Sequence, residues 1–287
     1  MIVSVKEILT KAKDNGYAVG AFNTFNLETT RAIIEGAQEM RSPVIVQVTE
    51  KTMEYAGGRG IFYLIKNDAE FYAPEIPVGI HLDHGKSFEI IQRAVAIGFT
   101  SVMYDGSWKK YVDNLEITKK VVDFCHKKGI NVQAELGRVP YLGEGEMTEM
   151  DWQENMTDPG QAEEFVKNTG IDALAVAIGN AHGFFKERKP DLSRLEMINK
   201  LTGGIPLILH GASDWENSRV EEVIKRGVAC FNVDTALRLA FINNLINSLG
   251  GRNSLSIDVR NILSKAREAV KDVVKEKIKM FGSDGKA

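Results

Sequence analysis

Two histidines and an aspartate fall within four residues at positions 81–84, where the sequence reads His-Leu-Asp-His. They close an apolar run that begins at Ile76, and a glycine follows at once, which is typical of a buried strand that ends at the surface. Two imidazoles could ligate a metal ion, and a carboxylate beside a bound cation stays ionised and could act as a base. A polar strand end without chemistry is the alternative, because the motif is short.

Two more histidines, His182 and His210, come at or after the ends of other apolar runs. Any one of the three could be an ordinary hydrogen-bonded rim residue. If the strands before them are neighbours, however, His84, His182 and His210 form a set of three imidazoles with an open fourth position. That set is typical of a catalytic divalent metal, and imidazole suits Zn²⁺ best among the common ions. His81 could contact a metal-ligating side chain and orient it. His126 is predicted to be a surface or packing residue of a long helix.

The elements that would position these residues alternate regularly along the chain. The predicted strands are 17–23, 44–49, 76–84, 100–105, 130–135, 173–178, 205–210 and 228–233. The predicted helices are 5–13, 27–40, about 60–72, 87–97, 111–128, 159–168, 192–201, 217–226, 236–249 and 255–280. Because the strands are apolar nearly throughout, the pattern predicts an α/β fold, a (β/α)₈ TIM barrel with extra C-terminal helices. An open doubly wound sheet is the alternative, but 18–23 lacks its Gly-x-Gly-x-x-Gly turn.

In such a barrel the polar residues at the strand ends would converge on one face. Besides Asp83 and the three histidines, these residues are Asn23, Thr49, Asp105, Glu135 and Asn232. The carboxylates of Asp105 and Glu135 are further candidate metal ligands.

The turns after the last two predicted strands, 211–213 and 232–235, combine small residues, hydroxyls and a helix start. Backbone N–H groups and a helix N-terminus can together bind a phosphate, and barrels usually bind phosphate at this position. Two ordinary capped turns are the alternative. The candidate phosphate-site residues are Gly211, Ser213, Asn232, Asp234 and Thr235.

Residues 137–157 differ from the rest of the chain, because they are rich in Gly, Glu, Met and Asp and have no sustained apolar period. We expect a long exposed loop there, of the kind that is either a mobile active-site cover or disordered.

The composition favours small-molecule chemistry. The 287 residues are 44% hydrophobic and 26% charged, with a net charge of −3, which fits one domain over 1–287. Without a polybasic run, we expect neither a nucleic acid nor a membrane surface as partner.

The N-terminal residues lack the apolar core of a signal peptide, so a cytoplasmic location is expected. Cys125 and Cys230 are predicted to be core thiols.

Six motifs resemble those of the class II (zinc-dependent) ketose-bisphosphate aldolases, in order and over nearly the whole chain. They lie at 21–23, 81–84, 134–137, 181–183, 209–213 and 232–235. The resemblance implies reversible cleavage of fructose or tagatose 1,6-bisphosphate to dihydroxyacetone phosphate and glyceraldehyde 3-phosphate.

The resemblance also implies roles for individual residues. His84, His182 and His210 match the Zn²⁺ ligands and Asp83 matches the catalytic carboxylate. A glutamate of the loop, with Glu144 nearest and Glu146 or Glu149 as alternatives, would protonate the carbon. It further implies a homodimer or homotetramer and a monovalent cation, Na⁺ or K⁺, near the phosphate. The residues that match the dihydroxyacetone-phosphate site are Gly183, Gly211, Ser213, Asn232, Asp234 and Thr235.

The chain departs from the family pattern mainly in the loop, where 138–146 holds about one extra residue. Gln133 stands where a second acidic residue is common, and Asn180 where threonine is usual. Arg238 follows the Asp-Thr pair as in the fructose-bisphosphate enzymes and could bind the distal phosphate bidentately, whereas 211–214 is more similar to the tagatose members. Fructose is therefore favoured, with tagatose or another ketose phosphate as the alternative substrate. A sugar-phosphate-binding homologue with impaired turnover and a zinc hydrolase are the alternatives.

Overall fold

The computed structural model describes residues 1–140, 148–183, 189–211, 215–249 and 258–287. Its parallel strands form a closed barrel in sequence order, and β8 pairs with β1 to complete it. The predicted (β/α)₈ barrel is thus confirmed. The strands are β1 (Val19–Asn23), β2 (Val44–Thr49), β3 (Val78–Gly85), β4 (Ser101–Tyr104), β5 (Asn131–Leu136), β6 (Ala173–Val176), β7 (Leu207–Leu209) and β8 (Val228–Val233).

Helices alternate with these strands and surround the barrel. They are α1 (Val5–Asp14), α2 (Leu27–Met40), α3 (Glu50–Tyr55), α4 (Gly58–Tyr72), α5 (Phe88–Ile97), α6 (Tyr111–His126), α7 (Glu149–Asn155), α8 (Pro159–Thr169), α9 (Leu192–Leu201), α10 (Asn217–Ile224), α11 (Thr235–Leu249) and α12 (Val259–Phe281). The short helices α3 and α7 are absent from the sequence prediction, because one or two turns are too few to show an apolar period.

Helix α7 corrects the expectation of an irregular loop through residue 157. Thr148 and Asp151 form a reciprocal capping box, in which the Thr148 hydroxyl accepts from the Asp151 N–H and Asp151 accepts from the Thr148 N–H. Trp152 is buried and anchors the helix. The part of the expected loop at 141–147 lies outside the described residues.

The strands are buried on both faces, which explains their nearly continuous apolar sequences. Outward-facing residues such as Phe22 and Val46 pack under the helices, while Ala21 and Ile45 face the barrel interior with Met103. Apolar side chains of α1 join this interior cluster. At Gly79 of β3 an added Cβ would lie 2.5 Å from Val5 of α1, so the helix packs directly against the strand. The opposite end of the barrel, at the carboxyl ends of the strands, therefore remains for the site.

The predicted C-terminal helices are confirmed. Helix α12 packs on α2 so closely that a Cβ at Gly36 would lie 2.9 Å from Val274 Cγ1. Its last residue, Phe281, stacks on Phe231 of β8 with ring centroids 4.6 Å apart. No helix within the described ranges is long and apolar enough to cross a membrane.

Candidate active site

A cavity of about 770 Å³ lies at the carboxyl ends of the strands. Most of the described candidate site residues line it, whereas the buried Asp105 and Glu135 and the exposed Glu149 do not. The lining residues are Asn23, Thr49, Glu50, Lys51, Glu54, Asp83, His84, Lys86, His182, Gly183, His210, Gly211, Asn232, Asp234, Thr235 and Arg238.

The end of β3 brings Asp83 and His84 to the same place, although strand alternation would put them on opposite faces. His84 has a φ of 48°, in the left-handed region that residues other than glycine seldom adopt. The pairing of β3 with β4 also shifts register between Leu82 and Gly85. At this local irregularity the His84 ring contacts the rings of His182 and His210, and a backbone outlier of this kind is often found at functional sites.

The three histidines predicted as metal ligands form one cluster. One ring nitrogen from each of His84, His182 and His210 lies within 4.8 Å of the others. His84 Nε2 is 2.9 Å from His210 Nδ1. His182 is carried by the connection after β6, where its N–H donates to the carbonyl of Pro140. The Asn180 amide ties the same connection to the His210 carbonyl at 2.8 Å.

Asp105 and Glu135 form, together with His84, a second group that could hold a cation. Asp105 Oδ2 is 2.8 Å from His84 Nδ1, on the ring edge opposite the other histidines. Glu135 Oε2 is buried without a hydrogen-bond partner among the described residues and lies 4.0 Å from His210 Nδ1. An unpartnered buried carboxylate oxygen is costly, so this site is suited to a positive charge.

The ionisation of the cluster follows from burial and from these neighbours. Burial alone would lower the pKa of His84, but Asp83 and the hydrogen bond to Asp105 outweigh it and raise that pKa to about 10. Burial, together with the charge of His84, lowers the pKa of His182 to about 4 and that of His210 well below its usual value. Burial and the charge of Asp105 raise the pKa of Glu135 to about 8.

Asp83 is held from two sides at the edge of the histidine cluster. Asn23 donates to Oδ2 at 2.8 Å, and Asn232 donates to Oδ1 at 3.3 Å. Oδ1 also lies 3.8 Å from His84 Nε2. The carboxylate is therefore fixed in orientation beside the cluster and lines the open cavity, which a general base requires.

The expected phosphate site lies at the ends of β7 and β8. Gly211 has a φ of 66°, and a Cβ there would overlap the carbonyl oxygen of Ala181, so only glycine fits. Thr235 begins α11 and lines the cavity, and the first N–H groups of a helix can bind an anion. Arg238 lines the same cavity and donates to Asp234 at 2.6 Å. Ser213, Glu144 and Glu146 lie outside the described residues.

Several cavity residues were not singled out from the sequence. Lys51 and Glu54 come from α3, whose N-terminus is capped by Thr49, the predicted strand-end residue. Lys86 follows β3, and its N–H donates to Glu50 Oε1 at 2.8 Å. The signal in the sequence is that these residues follow β2 and β3, whose strand-end residues are predicted site residues.

His81 and His126 are not members of the three-histidine cluster. His81 is buried inside the barrel with Nδ1 2.9 Å from the Ser101 hydroxyl, and His126 is a surface residue paired with Asp172. Glu149 is the exposed first residue of α7. Cys125 and Cys230 are buried free thiols, as expected.

Comparisons with known proteins give one consistent result. The family model described as fructose-bisphosphate aldolase class-II matches residues 3–286. The chain is 42% identical to a fructose-bisphosphate aldolase from Thermus caldophilus and 40% identical to one from Helicobacter pylori, and each match covers both chains completely. Its fold is similar to the crystal structure of the YdjI aldolase from Escherichia coli K12, with a TM-score of 0.87, 33% identity and full coverage of both chains.

Proposed function

The chain belongs to the class-II fructose-bisphosphate aldolase family, and we propose that it cleaves fructose 1,6-bisphosphate reversibly into dihydroxyacetone phosphate and glyceraldehyde 3-phosphate. The observation that carries this proposal is the cluster of His84, His182 and His210, with Asp83 beside it in an open cavity.

The residues present fit a Zn²⁺ ion. Three imidazole nitrogens converge within 4.8 Å, and the nearby carboxylates include an unpartnered oxygen of Glu135. A catalytic zinc site commonly has three protein ligands and an open position. We therefore propose His84, His182 and His210 as the ligands, with Asp105 and Glu135 around them. When bound, the divalent ion would supply a Lewis acid for the charge that develops next to the substrate carbonyl.

Asp83 is proposed as the general base that removes the proton from the C4 hydroxyl when the C3–C4 bond breaks. Its two carboxylate oxygens accept hydrogen bonds from Asn23 and Asn232, which fix the orientation of the group. Because electron density is left on carbon, a second group must return a proton there. The loop glutamates, first Glu144 and then Glu146 or Glu149, remain the proposed donors.

We propose that the bound substrate extends from the phosphate site to the rim of the cavity. Gly183, Gly211, Ser213 and the first turn of α11 would bind one phosphate, with Asn232, Asp234 and Thr235 beside it. Arg238 would meet the distal phosphate, because its guanidinium is on the same cavity and can bind such a group bidentately. Thr49 and Asn23 complete the lining. The monovalent cation near the phosphate stays a prediction.

An aldolase assay on both sugars tests the proposal. Purified protein is incubated with fructose or tagatose 1,6-bisphosphate, with and without a chelator, and dihydroxyacetone phosphate is measured. Cleavage of the fructose sugar that is lost with chelator and restored by Zn²⁺ is the expected result. Faster cleavage of the tagatose sugar would reverse the preference, tight binding without products would favour a binding protein, and free phosphate would favour a hydrolase.

We also propose that the protein acts as a homodimer or homotetramer in the cytoplasm. Support for assembly comes from the exposed apolar face of α11, which carries Leu239, Ile242, Ile246 and Leu249. These positions recur at three- and four-residue intervals, so they lie on one side of the helix.

A further inference from the structure

His210 lies between two different environments inside the barrel. Its Nδ1 faces the proposed metal position and lies 2.9 Å from His84 Nε2. Its Nε2 faces the other way and meets two side-chain amides, those of Gln133 at 3.4 Å and Asn232 at 3.2 Å. All three side chains are buried, and His210 is only 1% exposed. Water cannot easily replace these amides as the partner of Nε2.

Metal binding through Nδ1 determines which kind of hydrogen-bond partner His210 Nε2 requires. A neutral imidazole carries one ring proton, so if Nδ1 gives its lone pair to a metal ion, the proton must be on Nε2. The partner of Nε2 must then be a hydrogen-bond acceptor. In the structure both neighbouring amides present their nitrogen atoms, Gln133 Nε2 and Asn232 Nδ2, which are donors. That arrangement suits a ring whose proton is on Nδ1, a form that cannot bind a metal through Nδ1.

Asn232 cannot easily reverse its amide. Its Nδ2 also donates to Asp83 Oδ1 at 3.3 Å, and a turned amide would place Oδ1 against that carboxylate oxygen. Among the described residues, the Gln133 amide nitrogen makes one other hydrogen bond, to the sulfur of Met103 at 3.6 Å, and sulfur is a weak acceptor. Turning the Gln133 amide therefore loses little and gives His210 an acceptor.

We propose that Gln133 is a positioning residue for the metal site, because its Oε1 accepts a hydrogen bond from His210 Nε2–H and so holds the ring in the form that ligates through Nδ1. This inference rests on the metal site of the proposed function. Buried partners of metal-bound histidines commonly fix the ring in this way, and their loss typically weakens metal affinity about 10–100-fold.

Metal affinity of matched variants tests the inference without relying on activity. Zn²⁺ dissociation constants are measured by competition with a chromophoric chelator, beside thermal unfolding of the metal-free proteins. Gln133→Met keeps the length of the side chain but has no amide oxygen, and we expect Zn²⁺ affinity to fall about 10–100-fold. Gln133→Glu restores an acceptor, so it should bind Zn²⁺ at least as tightly as the parent protein.

Gln47→Met is the control, because Gln47 is a similarly buried glutamine of β2 whose side-chain oxygen has no hydrogen-bond partner among the described residues. It should keep the parent affinity. Parent-like Zn²⁺ affinity in Gln133→Met, or an equal loss in Gln133→Glu and Gln133→Met, would overturn the role of Gln133. Two results would instead contradict the proposed metal site itself. Either the parent protein binds no Zn²⁺, or His182→Ala does not abolish the Zn²⁺ binding.

Discussion

At the scale of single residues, His182 is the proposed ligand that depends least on a strand, since it is carried by the connection after β6. We expect His182→Ala to lose most bound zinc while the barrel stays folded, because the core beneath the site is packed without metal. Elemental analysis and thermal unfolding measure the two properties. Full zinc content in this variant would contradict the assignment of His182.

Asp83 provides the second test at this scale. Asp83→Asn keeps the size of the side chain but removes the base, so we expect kcat to fall about 10²–10⁴-fold while zinc content stays near the parent value. Steady-state kinetics with fructose 1,6-bisphosphate and zinc analysis of the same preparation measure this. Nearly unchanged kcat would mean that the carboxylate only orients a ligand.

Sequence reasoning could assign residue types to this site but not the geometry between them. The polar residue at each strand end was visible, because apolar runs stop there. The barrel pattern also predicts that Asp83 and His84 converge, but it does not show how, since simple alternation separates adjacent residues and the left-handed backbone of His84 cannot be read from the sequence. The contact between Gln133 and His210 was equally hidden, because it joins β5 to the end of β7 across the barrel.

At the scale of elements, the regular helices and strands were predictable from their periodicity, whereas α3 and α7 were not. Both are short helices whose N-caps, Thr49 and Thr148, gave the available signal. Helix α3 matters for function because it places Lys51 and Glu54 on the cavity. Short capped helices after strand ends can therefore add site residues that an apolar pattern does not reveal.

The segment 137–157, which includes α7, should carry the second acid–base group. If a glutamate of this loop returns the proton to carbon, Glu144→Gln or Glu146→Gln should slow exchange of the dihydroxyacetone-phosphate proton with solvent. Proton exchange followed by NMR measures this, with Glu149→Gln as the comparison on α7 and Asp83→Asn as the control for the other half-reaction. Parent exchange rates in all three glutamine variants would exclude the loop as proton donor.

Helix α12 is expected to stabilise the barrel through its last turn. Phe281 is 1% exposed, stacks on Phe231, and its carbonyl accepts from the Ala18 N–H at the start of the barrel. Phe281→Ala should lower the free energy of unfolding by about 3–5 kcal/mol, because it leaves a cavity between α12 and β8. Urea unfolding measures the loss, and the exposed Lys279→Ala is the control that should change stability little. A loss below about 1 kcal/mol would show that the neighbouring side chains fill the cavity.

At the scale of the whole molecule, the remaining question is how copies of the chain assemble. Helix α11 begins beside the cavity with Thr235 and Arg238, and its outer face exposes Ile242 by 49% and Ile246 by 61%. Exposed apolar side chains on one helix face are typical of an interface between proteins. We therefore expect a second copy to cover this face.

The charge variant Ile242→Lys with Ile246→Lys tests this expectation. Two ammonium groups would lose their hydration if the face were buried between copies, and such a cost is large for an unpaired charge. Both side chains are exposed within one chain, so the fold of the single chain should tolerate lysine.

Light scattering during size-exclusion chromatography should therefore show the parent protein as an oligomer and the double variant as a monomer. Met197→Lys, at a similarly exposed position on α9, should leave the mass unchanged. An oligomeric double variant would place the interface elsewhere on the surface, and a monomeric parent protein would exclude the proposed assembly.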